Sequence, residues 1–388
     1  LQHLLVTQDF LPELGGAARR HVALVRRYPE PMSVSTVAAR DSGRYDAAED
    51  YKIERRSFGH DEAMSFMRRI RWERWLTSRC RDRVHVLHSG DIGVAGRIVR
   101  RTHKRLRIPY VVYVDSGELC RARERAKRSR WDRRLVRLVM GDASGIVATT
   151  EYVAALARDV MREVGISQPC PVAASGLGTD PATFGPGRGS GTLRQRWGIR
   201  RAPIILTVAR LAPHKGQDIG IEALALLRDE FPDLRYVLVG EGSDEARLRN
   251  IAADMNVMDR VGFAGSMRDD ELPEAYATAT IYLDASRVTP ESMEGHGLSL
   301  IEAAATALPV VANDVGGVRS IVRADESGLI VDATSAQAVA DAIATLLRDA
   351  EMRNRMGMAG RESVETALNW SSVAQDTARF VRECVANG

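Results

Sequence analysis

At 388 residues the chain is long enough for two domains with a core each, and its four cysteines, Cys80, Cys120, Cys170 and Cys384, show neither C-x-x-C nor metal-ligand spacing. That pattern fits a reducing compartment and shows no zinc site, and there is no apolar run of 18 residues to cross a membrane, so a soluble, cytoplasmic chain is expected, at most peripheral on a membrane. Net charge is only +4, yet residues 1–185 hold 33 Lys and Arg against 22 Asp and Glu, net +11, and residues 186–388 hold 22 against 29, net −7, which suits the first half to an anionic partner.

In chain order, residues 3–7 read as a first strand, followed by a loop with Gly15-Gly16 and a helix carrying Val22, Leu24 and Val25. In open α/β sheets that loop borders the ligand crevice, and paired glycines let a ligand approach the backbone. Residues 34–38 and 51–54 are further strands and 61–83 a basic helix. Residues 84–88 are a strand, 92–106 a helix, and 110–114 a strand ending in Asp115-Ser116-Gly117-Glu118. Residues 121–137 hold nine Arg or Lys against Glu124 and Asp132. No nucleic-acid motif or stacking aromatics accompany the run, which reads as a solvated helix face, with an anionic lipid or acceptor surface as the alternative. A strand over 146–148 and a helix follow, and the Gly- and Pro-rich stretch 181–191 reads as a linker.

The second half opens with residues 204–209, apolar enough for a strand buried on both faces. It delivers Arg210-Leu211-Ala212-Pro213-His214-Lys215-Gly216 at its carboxyl end, and Lys215 is the only lysine after residue 127. A strand and glycine turn over 236–242, a helix over 246–255 and a strand over 261–266 containing Ala264 come next. Residues 280–284 are a strand running into Met293-Glu294-Gly295-His296-Gly297-Leu298-Ser299-Leu300-Ile301-Glu302. The apolar spacing of Leu298, Ile301, Ala305 and Leu308 starts a helix near Gly297, and Pro309 is expected to end it. Such a helix offers free amides, here those of Leu298 and Ser299, to a phosphate. Glu302 lies about 6 Å further along the axis, the offset from a diphosphate to its ribose. Glu294 is in the loop ahead, where a sugar on the far side of such a diphosphate would meet it first. The strand 328–331, a helix over 336–347 and an amphipathic helix over 373–385 complete an alternating pattern, that of parallel doubly wound sheets.

The wording E-G-x-G-L-x-x-x-E, then A-L-P-V-V-A and Gly316-Gly317, resembles glycosyltransferase family 4, the retaining sugar-nucleotide enzymes. The resemblance implies the GT-B fold, two Rossmann-like domains: an acceptor-binding domain over 1–185, a nucleotide-sugar-binding domain over 186–370, and a last helix, 371–388, packing back on the first. It implies that Arg210 and Lys215 neutralise the donor diphosphate, that Gly15 and Gly16 lie against the donor phosphates or the acceptor, and that the backbone around Ala264 lies beside the nucleobase. Gly295, His296, Gly297, Leu298 and Ser299 complete the donor grip. Asp115 takes the position of a His that contacts the donor sugar, Gly178 stands where Asp is usual, and Arg319-Ser320 where Pro-Glu is commoner.

The expected catalytic set is therefore Glu294, Asp115, Arg210 and Lys215, with Glu302 on the ribose. Without a D-x-D, no metal is expected, and no cofactor besides the donor as co-substrate. The expected reaction is transfer from a nucleoside-diphosphate sugar, GDP-mannose or a UDP-sugar, to a glycan, lipid or small-molecule acceptor, with no nucleic acid involved. The wording around Arg210 looks closest to bacterial phosphatidylinositol-mannoside mannosyltransferases. Two alternatives stand beside it: a same-fold sugar-nucleotide 2-epimerase, and a catalytically silent sugar-nucleotide or anionic-lipid binding module.

Overall fold

The computed structural model describes residues 1–12, 15–57, 66–81, 83–189, 191–199, 201–288 and 297–386. The chain divides into two compact units, Leu1–Leu177 with Trp370–Gly388, and Gly178–Asn369.

The first unit is built on strands β1 (His3–Val6), β2 (Met32–Val37), β3 (Ile53–Arg56), β4 (Val86–Ser89), β5 (Tyr110–Val114), β6 (Gly145–Ala148) and β7 (Val172–Ala174). They pair in parallel in the order β3-β2-β1-β4-β5-β6-β7. Its helices are α1 (Gly16–Arg27), α2 (Ser42–Asp46), α3 (Phe66–Cys80), α4 (Val94–Leu106), α5 (Ser116–Arg128), α6 (Arg130–Gly141) and α7 (Glu151–Glu163). Strand residues alternate between two cores. Leu4, Val6, Leu87, Val112 and Val114 face one core, with Trp72 of α3 and Ile98 of α4. Leu5, Val86, Val111 and Tyr113 face the other, with Val22 of α1 and the C-terminal residues Ala374, Ala378 and Val381. Helices on both faces explain why these strands read as unbroken apolar runs. Each fully buried Leu or Val contributes about 1.5–3 kcal/mol.

The second unit carries α8 (Thr192–Arg196), β8 (Ile204–Val208), α9 (Gln217–Leu226), β9 (Arg235–Val239), α10 (Glu245–Asp254), β10 (Val261–Gly265), α11 (Leu272–Thr278), β11 (Ile281–Asp284), α12 (Leu298–Ala305), β12 (Val310–Asn313), β13 (Gly328–Val331), α13 (Ala336–Arg348) and α14 (Ala350–Thr366). All six strands are parallel, in the order β10-β9-β8-β11-β12-β13. The C-terminal α15 (Trp370–Ala386) packs on α1 and β6 of the first unit.

Several expected boundaries move, each for a local reason. The basic run over 121–137 is two helices, because Ser129 leaves helical geometry and its hydroxyl caps α6 by accepting from the Asp132 amide at 3.2 Å. The helix after Gly297 stops at Ala305, ahead of Pro309. Ala307 takes a left-handed conformation (φ 58°), and the Leu308 amide reaches back to the Ala303 carbonyl. The third strand begins at Ile53, and α3 spans Phe66–Cys80; residues 61–65 lie outside the described residues.

Candidate functional site

In an open parallel sheet a ligand sits beyond the carboxyl ends of the strands, where the strand order reverses. In the second unit that point lies between β8 and β11: the chain runs β8, β9, β10 to one side and returns to β11 on the other. The loops leaving these two strands hold the expected cations and lead to α12.

Leu211 anchors the β8 loop in the core, leaving Arg210 exposed. The Arg210 carbonyl accepts from Gln217 Nε2 at 2.9 Å, and Pro213–Lys215 form one 3-10 turn. Gly216 then takes φ +69°, and a Cβ there would overlap the Ala285 carbonyl oxygen, so only glycine lets the Lys215 turn press against the end of β11. Both requirements fix where Lys215 sits. Ala264 lies on β10, two strands from β8, about 10 Å across the sheet.

Helix α12 begins at Leu298 after Gly297, where a Cβ would collide with the Ile321 side chain. Its N-cap is Gly297, which has no side chain to cap it. The first helical bond to the Gly297 carbonyl comes from the Ile301 amide, so the amides of Leu298 and Ser299 have no partner in the helix. Ser299 hydrogen-bonds the Tyr282 hydroxyl, which also donates to the Val208 carbonyl at 3.4 Å, tying α12 to the end of β8. Glu302 is 7% exposed, and its Oε2 accepts from the Tyr276 hydroxyl at 2.7 Å. Tyr276 packs against Phe184 and Tyr282, with both ring separations 5.7 Å. Glu294, Gly295 and His296 lie outside the described residues.

The remaining expected residues belong to the first unit. Gly15 precedes α1 in extended geometry, and with Gly16 it is exposed. Asp115 caps α5, accepting from the Glu118 amide at 2.8 Å, a structural task that Asp-x-x-Glu ahead of a helix signals. At this unit's own reversal point, between β1 and β4, a cavity of about 320 Å³ is lined by Asp9, Asp91, Asp115 and Glu118, with Arg97 and Arg121 among its cations. Burial, then the charge of Asp9, raises the Asp91 carboxyl to about 7. Burial, then Asp91 and Asp115, hold Glu118 well above the carboxylate range, and its Oε1 accepts from the Ile92 amide. Neither Asp91 nor Glu118 stood out in the sequence, nor did Tyr276, whose only sign is an aromatic amid the small residues of a short helix.

Residues 190–363 match the family described as glycosyl transferases group 1. A GDP-mannose-dependent alpha-(1-6)-phosphatidylinositol monomannoside mannosyltransferase of Mycobacterium tuberculosis is 38% identical over 192 residues, 49% of this chain and 50% of the relative. A D-inositol 3-phosphate glycosyltransferase of Acidothermus cellulolyticus is 32% identical over 262 residues, 64% of this chain and 57% of the relative. The chain thus spans about half the length of the curated relatives it matches. Among solved structures, sucrose-phosphate synthase from Thermosynechococcus elongatus superposes over the whole of both chains (TM-score 0.78, 21% identity). HepE of Anabaena in complex with UDP does so over 99% of this chain and 100% of that one (TM-score 0.79, 19% identity). Residues 190–363, almost the whole second unit, thus match the glycosyl transferases group 1 family, and the two parallel sheets share the GT-B fold of these solved structures.

Proposed function

We propose that the chain is a retaining glycosyltransferase that moves mannose from GDP-mannose to a lipid-borne acceptor bound by the first unit. The observation that carries the reading is the meeting, at the strand-order reversal of the second unit, of the Arg210–Lys215 loop with the glycine-led start of α12 and the buried Glu302. Arg210 and Lys215 neutralise the diphosphate, whose charge grows as the sugar departs. The Leu298 and Ser299 amides bind its oxygens, and Glu302 accepts the ribose hydroxyls. Glu294 holds the sugar, and departure and attack share one face, the leaving phosphate taking the acceptor proton. GDP-mannose is favoured because the relatives at 38% and 34% identity carry it in their names.

A lipid acceptor is supported by α6. Arg130, Arg133, Arg134 and Arg137 are exposed and make no ion pair with a carboxylate among the described residues, and Trp131 beside them is 78% exposed. Some exposed cations of this unit do pair with carboxylates, as Lys127 does with Glu124 and Arg101 with Glu73. Arginines without a carboxylate partner among the described residues, flanking an exposed Trp, suit an anionic bilayer surface.

Calorimetric titration with GDP, UDP, GDP-mannose and UDP-glucose tests the donor assignment. GDP and GDP-mannose are expected to bind best, with affinity lost in Lys215→Ala; preference for the uridine pair would overturn the choice of base, and no binding by any would overturn the site.

A further inference from the structure

Asp218 lies just after the Lys215 turn, and it is 8% exposed. Its Oδ1 accepts from Arg287 Nη2 and its Oδ2 from Arg247 Nη2 at 3.1 Å, while Arg247 also grips Asp244 through two contacts of 2.7 Å. Arg287 belongs to the loop leaving β11. Its backbone amide donates to the His214 carbonyl at 2.8 Å, inside the Lys215 turn. The same stretch is pinned from its other side. Asp284 accepts from the Ser286 amide at 3.0 Å, the Ser286 carbonyl accepts from Asn313 Nδ2 at 2.8 Å, and Asn313 Oδ1 accepts from the Ala333 amide at 3.2 Å.

Two loops from neighbouring strands are thereby stapled through one ion pair and one backbone bond, at the switch point. We propose that Asp218 and Arg287 are positioning residues, whose ion pair sets the Lys215 ammonium where the donor's leaving diphosphate needs it; this rests on the donor-site reading above. Neither is asked to touch the donor. Losing the pair leaves Lys215 chemically intact on a turn that still has Gly216 against Ala285 but lacks the Asp218–Arg287 tether. Displacing a catalytic cation by as little as about 1 Å costs on the order of 100-fold in rate, whereas a packing defect costs melting temperature instead.

The test uses the full chain with GDP-mannose and acceptor lipid: Asp218→Asn, Arg287→Met, the double variant, Arg287→Lys and Lys215→Ala, each melted and assayed. The expected result is a loss of kcat/KM of roughly 10- to 100-fold in each single variant of the pair, no further loss in the double, and substantial recovery in Arg287→Lys, which keeps the charge. The two Arg287 variants carry the test if Asp218→Asn does not fold. Wild-type turnover with a lowered melting temperature, or losses that add in the double variant, would overturn the positioning role. If Lys215→Ala also turns over normally, the donor-site reading fails rather than the pair alone.

Discussion

Tyr276→Phe removes one hydroxyl and keeps the ring that packs on Phe184 and Tyr282. No cavity larger than that hydroxyl is created, so the cost is that of a hydrogen bond to a carboxylate at 2.7 Å, in a place where Glu302 is 7% exposed and water cannot fully replace it. Such bonds are worth about 1.5–3 kcal/mol. If Glu302 grips the ribose, much of that appears in nucleotide affinity, because the carboxylate loses a partner that helps to aim it. At about 1.4 kcal/mol per factor of ten, GDP binding should weaken roughly tenfold or more. The assay is calorimetric titration of wild type and variant with GDP and, separately, with inorganic pyrophosphate, which has no ribose. GDP affinity should fall while pyrophosphate affinity stays. An unchanged GDP affinity together with a lower melting temperature would refute the ribose assignment and leave Tyr276 and Glu302 as a core pair.

Gly216→Ala must adopt φ +69° and push against the Ala285 carbonyl; about 2 kcal/mol or more should be lost, roughly 4–8 °C of melting temperature, read by thermal denaturation. Asp91 is raised from 3.8 to about 7, so its contribution to stability is complete below pH 4 and is lost as pH climbs to 7. Asp91→Asn should therefore gain stability relative to wild type between pH 5 and pH 8 in paired melts, and parallel pH curves would contradict this. Glu substitutions at Arg130, Arg134 and Arg137, with Trp131→Ala, should release the protein from phosphatidylglycerol vesicles in co-sedimentation while GDP binding persists; equal sedimentation would return α6 to an ordinary solvated face.

The alternation of apolar strands and amphipathic helices carried most of the fold, because strands buried on both faces between helices cannot hide their composition. The place of the Arg210–Lys215 loop was legible for the same reason: a buried strand such as β8 announces where its carboxyl end, and hence the loop after it, begins. What stayed hidden were contacts between residues distant in sequence. Tyr276 meets Glu302 across 26 positions, and Arg287 meets Asp218 across 69. Asp115 shows the reverse case: the residue read for chemistry also caps α5, and that capping signature lay in the same four letters. The break at Ser129 was similarly written in its side chain, but nine cations in seventeen positions drew attention to charge. Arg121, whose charge was counted with that run, instead lines the cavity beside Asp115.

The most direct test of the glycosyl-transfer reading is release of GDP from GDP-mannose by the purified chain, with and without a phosphatidylinositol-containing lipid extract, in the presence of EDTA. The account predicts release that depends on the lipid, continues under chelation because Arg210 and Lys215 supply the positive charge, and disappears in Lys215→Ala. A wild-type protein that binds GDP yet releases none from GDP-mannose or a UDP-sugar with any acceptor extract would contradict it, and would make the chain a sugar-nucleotide binding module instead.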